Sequence, residues 1–483
     1  MPNLGRRALR SGKEYSSFDL CVGAPLEPEE YFDVEECLAE RFGDQDGEDE
    51  PVPISAAPFS ETTPQPSTLA TASTSHLLSN SPSPLPSPSP PPSSPSALKL
   101  SSKRRRHRKR MQAATDAGHA GIIRKSVAQR HVHVALGHAV QVDVDAAHLA
   151  HSKPAWVGLR SAETEHEAGM GGRAYTRDQI EALTGAKGLR YINWLGRTSI
   201  PLVDSKGRVI AVLGGMPRDL AGWKLVTDTA AKLFAERVGE GSFTLDQLHH
   251  RRAQEPYPSI SRGVSHGGGQ TEPGELCNNT ENTRLTDDFL GNDAFKRLAG
   301  FANCLFALFA PILFTFYQAQ MAILAGWRPS LRWNFARSVF AACTFNFGPH
   351  AITVPHLDFG NLAWGWCSIT ALGDFDPDVG GQLILWDLRL VIRFPPGSTI
   401  LIPSAIIRHS NVPVAAHEQR FSFTQYTAGG LFRWIRNGFQ TEEAWERTAT
   451  REAKRARAAE DSHRWEKGVD MFSTVDSLQT DSD

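Results

Sequence analysis

Paired cysteines and an excess of charge of one sign are both missing from this sequence. Its six cysteines never stand at CxxC spacing, and 51 basic residues nearly balance 53 acidic ones. Scattered cysteines argue against a disulfide framework and against a cysteine-based zinc site, and they are typical of a reducing compartment. Because the net charge is only −2, any affinity for nucleic acid must come from local basic clusters rather than from the whole molecule.

A secretory signal and a clear membrane span are also missing. The N-terminus carries arginines and acids where a signal peptide would have an apolar run. The most apolar stretch, residues 301–327, is interrupted by Asn303, Pro311, Gln318 and Gln320. We therefore interpret it as a pair of buried core helices rather than a transmembrane helix, and we expect no contact with membranes.

Residues 1–120 have the composition of a long disordered region. An acidic stretch up to about residue 50 is followed by a segment dominated by Ser, Pro and Thr over residues 51–98, which has too little apolar surface to offset its ordering entropy. Residues 103–110 then read KRRRHRKR. A basic block of this density predicts a nuclear protein that binds an import receptor, contact with nucleic-acid phosphates, or both, although a solvated charge run without a role is the alternative.

Residues 155–440 carry the pattern of a folded domain. Residues 189–195 and 208–213, separated by the turn DSKG, predict a hairpin, and the apolar spacing over residues 223–238 predicts a helix. Short β-branched and aromatic runs cut by Gly and Pro predict closely spaced strands in the second half of the domain. Residues 441–483, rich in Ala, Glu and Arg, predict an exposed helical or disordered tail.

Two histidines and one aspartate within these strands have the order of a metal site. His356 and Asp358 stand two apart at a predicted strand end, so both side chains point to one face. His409 ends the apolar segment STILIPSAIIRHS, which can return as a neighbouring strand. Two histidines and one carboxylate form the facial triad of Fe(II) oxygenases, which leaves three coordination positions open. A competing pair, His131 and His133, lacks the carboxylate or cysteine that would complete a zinc set.

An arginine follows the second histidine by eleven residues. Arg420 and Ser422 alternate with apolar residues in RFSF, so both are expected on one strand face. A guanidinium binds the distal carboxylate of a dicarboxylic acid through two parallel hydrogen bonds, and a hydroxyl adds a third. The sequence therefore predicts an Fe(II) site with 2-oxoglutarate anchored beside it.

Three long stretches around these residues carry a family likeness. They read CTFNFGPHAITVPHLDFGNLAWGWCSITALGDFDPDVGGQLIL, FPPGSTILIPSAIIRHSN and QRFSFTQYTAGGLFRW. They resemble the TET/JBP-like dioxygenases expanded in mushroom-forming fungi, which are often associated with DNA transposons. The likeness runs from about residue 187 to 439. It implies an α+β fold, with a double-stranded β-helix (jelly-roll) core and supporting helices, and oxidation of the 5-methyl group of a pyrimidine base such as 5-methylcytosine in nucleic acid.

The resemblance also implies roles for individual residues. His356, Asp358 and His409 match the family's iron ligands, and Arg420 with Ser422 matches its 2-oxoglutarate anchor, which makes this set the expected catalytic centre. Asn361 completes an HxDxxN pattern whose asparagine contacts the flipped base, and Tyr426 stands where an aromatic residue stacks on it. A family histidine that contacts the base corresponds to Ala428 here, which leaves the base preference open.

Two other functions fit the same residues. The iron machinery does not encode its substrate, so it could hydroxylate a protein or a small molecule. A non-catalytic, transposon-associated nuclear binding protein could also keep this fold, although the intact triad and Arg420 count against it. The sequence does not distinguish DNA from RNA, and it does not encode the extent of oxidation or the oligomeric state.

Overall fold

The computed structural model describes residues 127–160, 174–186, 188–249, 252–253 and 255–480, with four short strand segments before them. Those segments pair with each other as two small antiparallel sheets. Apart from them, the region expected to be disordered over residues 1–120 lies outside the described residues, and so does the basic block 103–110.

The described strands are β1 (Arg6–Ala8), β2 (Glu14–Ser16), β3 (Asp19–Leu20), β4 (Phe32–Asp33), β5 (Val140–Gln141), β6 (Arg190–Ile192), β7 (Ile200–Val203), β8 (Val209–Gly215), β9 (Ser259–Ser265), β10 (Gly274–Glu275), β11 (Ala342–Asn346), β12 (Cys367–Asp374), β13 (Leu383–Leu385), β14 (Leu390–Ile392), β15 (Thr399–Ile402), β16 (His409–Asn411) and β17 (Gln419–Tyr426). The described α-helices are α1 (Val127–Gly137), α2 (Arg177–Ala186), α3 (Leu220–Arg237), α4 (Leu245–Leu248), α5 (Thr280–Gly291), α6 (Asp293–Phe309), α7 (Pro311–Trp327), α8 (Gly429–Arg436), α9 (Glu442–Thr448), α10 (Arg451–Ser462), α11 (Arg464–Val469) and α12 (Val475–Thr480).

Two sheets share the strands of the folded region. The larger has the order β10-β9-β11-β17-β12-β15-β8-β7-β5, and the smaller has the order β16-β13-β14-β6. From β11 onward the chain moves back and forth between them: β11, β12, β15 and β17 pair in the larger sheet, whereas β13, β14 and β16 pair in the smaller one. His356 joins the smaller sheet through a bridge to His409. This alternation between two antiparallel sheets is the double-stranded β-helix, so the expected fold class is confirmed.

A layer of aromatic rings joins the helices to the larger sheet. Phe234 of α3 is fully buried, and its ring centroid lies between 5.1 and 6.2 Å from the centroids of five other phenylalanine rings. The five are Phe289 and Phe295 of the helices and Phe345, Phe347 and Phe421 in or next to the strands. Burial of this many large apolar side chains fixes the helices on one face of the sheet and leaves the opposite face free for polar residues.

The expected pair of core helices is confirmed. Helix α6 ends at Phe309, and Pro311 opens α7, since a proline is tolerated in a first helical turn but cannot continue the preceding helix. Every residue from Phe301 to Phe309 is buried. None of the described helices is long and apolar enough to cross a membrane.

The predicted hairpin has a different first strand. The turn DSKG joins β7 to β8, and β6 instead pairs in parallel with β14 of the smaller sheet. Asp204 makes the turn, because its carboxylate accepts hydrogen bonds from the backbone N–H groups of Lys206 and Arg208. The short run IPLV of β7 lies directly before the turn, and a proline within such a run weakens its strand signal.

The C-terminal segment differs from the expected exposed tail. Residues 442–480 form four helices, and Trp465, Val469 and Phe472 are buried. Val209 of β8 donates a backbone hydrogen bond to Ser473, at 2.7 Å. Buried residues at 465, 469 and 472 have helical spacing, but the charges of α10 just before them conceal that pattern. The folded region also starts earlier than residue 155, with α1.

Replacing Phe234 with alanine should lower the free energy of unfolding by about 3–5 kcal/mol, because the missing ring leaves a cavity that the other rings cannot fill. Denaturant unfolding followed by circular dichroism measures the change. Leu245→Ala is the control: its side chain is 74% exposed, so the change should stay below about 0.5 kcal/mol. A loss for Phe234→Ala no larger than the control would contradict the role of this aromatic layer.

Candidate metal centre

Three ligand-type side chains meet between the end of the smaller sheet and the loop after residue 356. The potential ligand atoms of His356, Asp358 and His409 all lie within 4.8 Å of one another. The two histidines face each other across the strands and exchange both backbone hydrogen bonds, at 3.1 and 3.0 Å. Their ring centroids are 4.3 Å apart. The order of residues seen in the sequence therefore becomes one compact cluster in space.

Both imidazoles are oriented by their own backbone. Nδ1 of His356 lies 2.8 Å from the carbonyl oxygen of Val354, and Nδ1 of His409 lies 2.9 Å from that of Ile407. Because a carbonyl oxygen can only accept, each Nδ1 must carry the proton. The lone pairs then sit on the two Nε2 atoms, which lie 3.8 and 3.9 Å from the carboxylate of Asp358. This tautomer is the one that two metal-ligating histidines need.

The electrostatics keep both histidines neutral. Burial lowers the pKa of His356 well below its usual value, and the neighbouring His409 lowers it further. Burial also lowers the pKa of His409, although Asp358 opposes the shift. A divalent metal binds neutral imidazole, so neither ring has to lose a proton for a metal to bind near neutral pH.

Asp358 is held as a carboxylate. Burial by itself would raise its pKa, but Arg252 and the two histidines keep the pKa well below its usual value. The closest charge is Nη1 of Arg252, 2.8 Å from Oδ1 of Asp358. Ser404 adds a backbone carbonyl that accepts from the Asp358 N–H at 2.9 Å, and its side chain helps to lower the pKa of Asp358. Two nitrogens and one anionic oxygen are a donor set that suits Fe(II).

Sequence reasoning missed Arg252. It reaches the site because its carbonyl oxygen accepts from the Val354 N–H at 2.9 Å and Ala253 bridges to Thr353, which ties this segment to the chain just before His356. A single arginine about a hundred residues upstream of the metal ligands carries no spacing signal. Only the pairing of the two segments places it there.

Arg420 is a buried cation without a carboxylate partner among the described residues. Its side chain is 1% exposed, and burial lowers its pKa to about 10, so it stays charged at neutral pH. One Nη donates to the carbonyl oxygen of Ala351, whereas Nε has no hydrogen-bond partner within the described part of the chain. A buried guanidinium with an unsatisfied N–H lowers the stability of the fold unless an anion binds to it. This is the arrangement expected of an anchor for the distal carboxylate of 2-oxoglutarate.

Alternation along β17 places this anchor. Phe421 and Phe423 pack into the aromatic layer, and Arg420 and Ser422 therefore point to the opposite face. Ser422 accepts a hydrogen bond from Nδ2 of Asn346 at 2.9 Å. The sequence prediction that Arg420 and Ser422 share a face agrees with this geometry.

Tyr257 is a buried tyrosine just before β9. Its ring is 2% exposed, and burial raises its pKa. The charges of Arg252 and Arg420 oppose this rise in the pKa, and the charge of Asp358 adds to it. Nothing in the local sequence around Tyr257 predicted this position.

The two residues expected to contact a base lie in the loop after Asp358 and at the end of β17. Asn361 is half-buried, and its Nδ2 donates to the hydroxyl of Ser404 at 3.1 Å. Tyr426 lies on the same face of β17 as Ser422, and its hydroxyl accepts a hydrogen bond from Thr344 at 3.3 Å. The backbone of Asn361 also bridges to Ala428. Their roles toward a substrate stay predictions.

The competing histidine pair does not form a site. His131 and His133 lie on α1 rather than on a strand, and residues two apart on a helix point in different directions. His131 is buried against the hydroxyl of Ser199, and His133 is exposed. Among the described residues, His356, Asp358 and His409 are the metal-ligand cluster.

No protein-family model matches this chain, and no curated protein does either. Among solved structures, it is similar to NgTET1 in complex with 5mC DNA, with 14% identity, a TM-score of 0.34 and coverage of 53% of this chain and 92% of that one. It is also similar to an oxidoreductase of the 2OG-Fe(II) oxygenase family from Burkholderia pseudomallei, with 15% identity, a TM-score of 0.25 and coverage of 53% and 91%.

Replacing either His356 or Asp358 with alanine should weaken the binding of Co(II) or Fe(II) by more than roughly a hundredfold, because a direct ligand contributes more than the residues that orient it. Anaerobic titration followed by calorimetry measures the dissociation constant. His133→Ala removes an exposed histidine from α1 and should leave it unchanged. Equal affinity in all three variants would place the metal elsewhere.

Proposed function

We propose that this chain is a 2-oxoglutarate- and Fe(II)-dependent dioxygenase that oxidises the 5-methyl group of 5-methylcytosine in nucleic acid. One observation carries the enzyme class. The His356, Asp358 and His409 cluster is accompanied by Arg420, a buried cation that donates to the carbonyl oxygen of Ala351 in the chain leading to His356 and has no carboxylate partner among the described residues. This combination suits a co-substrate that binds the metal with one end and carries a free carboxylate for the arginine at the other end.

Each residue has a definite task in this proposal. His356, Asp358 and His409 hold the metal on one side and leave the opposite positions to the co-substrate and oxygen. Arg420 binds the distal carboxylate of 2-oxoglutarate, and Ser422 adds a hydrogen bond. Iron and 2-oxoglutarate, when bound, supply the oxidising chemistry for an unactivated C–H bond.

The choice of cytosine over thymine follows from the polarity of Asn361. Nδ2 of Asn361 donates to the hydroxyl of Ser404 at 3.1 Å. The remaining polar atom of Asn361, Oδ1, is an acceptor. Cytosine presents an amino donor at the position where thymine presents a second acceptor, so this asparagine favours 5-methylcytosine. Tyr426, with its hydroxyl held by Thr344, offers a ring face on which a flipped base can stack.

We further propose a nuclear location and a nucleic-acid partner. The basic block 103–110 supports both, since seven positive charges in eight residues suit an import receptor or a phosphate backbone. The resemblance to TET/JBP-like dioxygenases supports DNA as the substrate. A base within a duplex cannot reach a buried metal, so it has to leave the stack before oxidation.

The decisive experiment offers the purified chain Fe(II), 2-oxoglutarate, oxygen and DNA that contains 5-methylcytosine, with nucleosides and succinate read by mass spectrometry. Oxidised methylcytosine is the expected product, with thymine left unchanged. Asn361→Asp keeps an acceptor at this position, whereas Asn361→Leu removes it and should reduce oxidation of 5-methylcytosine by roughly tenfold. Succinate without an oxidised base would point to a protein or small-molecule substrate. Absence of succinate under these conditions would contradict the proposed activity.

Arg420→Lys should raise the KM for 2-oxoglutarate by at least roughly tenfold, because an ammonium keeps the charge but cannot form two parallel hydrogen bonds. Ser422→Ala should raise it by a smaller factor. Initial rates of succinate formation at varied 2-oxoglutarate measure both effects. Ser368→Ala is the matched control, since Ser368 is a buried serine on the opposite face of the neighbouring strand. An unchanged KM in Arg420→Lys would remove this anchor.

A further inference from the structure

A short segment lies across the loop that carries the metal-ligating aspartate. We name residues 151–158 the strap and residues 356–362 the metal-ligand loop. The backbone N–H of Gly158 donates to the carbonyl oxygen of Phe359 at 2.8 Å, and Val157 bridges to Leu362. A Cβ added at Gly158 would come within 2.1 Å of the carbonyl oxygen of Ala405. The strap can therefore lie this close to Ala405 only because residue 158 is a glycine and has no Cβ.

The metal-ligand loop has little regular structure of its own. Between the bridge at His356 and the bridge at Leu362 it contains no strand, and the backbone of Asp358 makes two hydrogen bonds, one to Ser404 and one to Asn361 within the loop itself. A backbone segment with few internal hydrogen bonds depends on its neighbours for its order. The strap is one of those neighbours, because it supplies the hydrogen bond at Phe359.

The strap is in turn held by α11 at the C-terminus. The guanidinium of Arg464 lies 4.2 Å from the centre of the Trp156 ring, and its Nη1 donates to the carbonyl oxygen of Pro154 at 2.9 Å. The next residue, Trp465, stacks on His151 with a centroid distance of 4.0 Å and an angle of 13°. Two consecutive residues of α11 thus hold the start and the middle of the strap.

A second route joins the same elements. The Trp156 ring lies 5.8 Å from Trp364, which follows the metal-ligand loop directly. Gly468 of α11 packs flat on Trp364, since a Cβ there would be 2.4 Å from the ring. Gly429 packs against the carbonyl oxygen of Trp156 and donates its N–H to Gly360 at 3.0 Å. The loop is therefore enclosed by the strap, by α11 and by the start of α8.

We propose that Arg464 is a positioning residue that acts through the strap to hold Asp358 and Asn361 in place, so that the C-terminal helices set the metal affinity of a site that they do not touch. A displacement of a ligand on the order of 1 Å is enough to weaken a site of this kind. The part of this inference that concerns metal rests on the proposed function, whereas the part that concerns loop order does not.

The chain offers a matched control for Arg464. Arg457 of α10 is also a buried arginine stacked on a tryptophan, with its guanidinium 3.8 Å from the centre of the Trp445 ring. It pairs with Glu442 at 2.9 Å rather than with the strap. Arg464→Ala and Arg457→Ala therefore remove the same kind of contact from neighbouring helices, and only the first touches the strap.

Hydrogen–deuterium exchange of the metal-free protein provides the first test. Arg464→Ala should speed amide exchange in the metal-ligand loop by roughly tenfold, because a desolvated cation–π contact and a charged hydrogen bond are both lost. Exchange in α6 serves as the internal reference and should not change. Arg457→Ala should leave exchange in the loop as it is in the unmodified protein. Equal exchange of the loop in the two variants would overturn the proposal.

Titration with Co(II) provides the second test. Arg464→Ala should weaken binding by roughly tenfold, and Arg457→Ala should not. If Arg464→Ala does not fold, the same two measurements are made on Arg464→Lys and His151→Ala. Each of these variants weakens the contact between α11 and the strap but removes fewer atoms. Unchanged affinity and unchanged loop exchange in those variants would also overturn the proposal. An unmodified protein that binds no divalent metal would contradict the proposed function instead, and the exchange experiment would still test the strap.

Discussion

The site depends on one pair of backbone hydrogen bonds. His356 and His409 face each other and exchange N–H and carbonyl groups at 3.1 and 3.0 Å, although the chain around His356 is otherwise without strand structure. Residues paired in this way carry their side chains on the same face, which is why both Nε2 atoms reach Asp358. A slip of one residue would turn one imidazole to the other side of the sheet. The pairing of His356 with His409 in the smaller sheet therefore fixes the positions of the two histidine ligands.

Around that pair, the cost of buried charge explains the rest of the pocket. Asp358 stays ionised chiefly because the guanidinium of Arg252 lies 2.8 Å from it. Arg420 is buried with no carboxylate partner in the described part of the chain, and such a group lowers stability unless an anion binds to it. The aromatic layer behind β17 provides the stability that this arrangement needs, since the same strand carries Phe421 and Phe423 on its other face. Adjacent residues of β17 thus point to opposite faces, so that one packs into the aromatic layer and the next belongs to the polar site.

The sequence predicted those parts of the site that lie close together along the chain. His356 with Asp358, and Arg420 with Ser422, show the period of a strand, so their shared faces could be read directly. Arg252 and Tyr257 could not be found, because they come from a distant segment that enters the pocket only through pairing with residues 353 and 354. The hairpin prediction was wrong for a related reason: β6 pairs with a strand about two hundred residues later. The buried apolar residues of α11 were concealed by the charges of α10.

In the proposed function, substrate choice depends on hydrogen-bond polarity rather than on the metal. Ser404 contacts both parts of the site, because its carbonyl oxygen accepts from the Asp358 N–H at 2.9 Å and its hydroxyl accepts from Nδ2 of Asn361 at 3.1 Å. With Nδ2 engaged in this way, Oδ1 of Asn361 is the polar atom that remains, and it is an acceptor. Ala428 offers no polar group to reinforce this preference. Under the proposal, discrimination between cytosine and thymine would rest on this one acceptor, so the residue that holds the backbone of the expected iron ligand would also orient the group that selects the base.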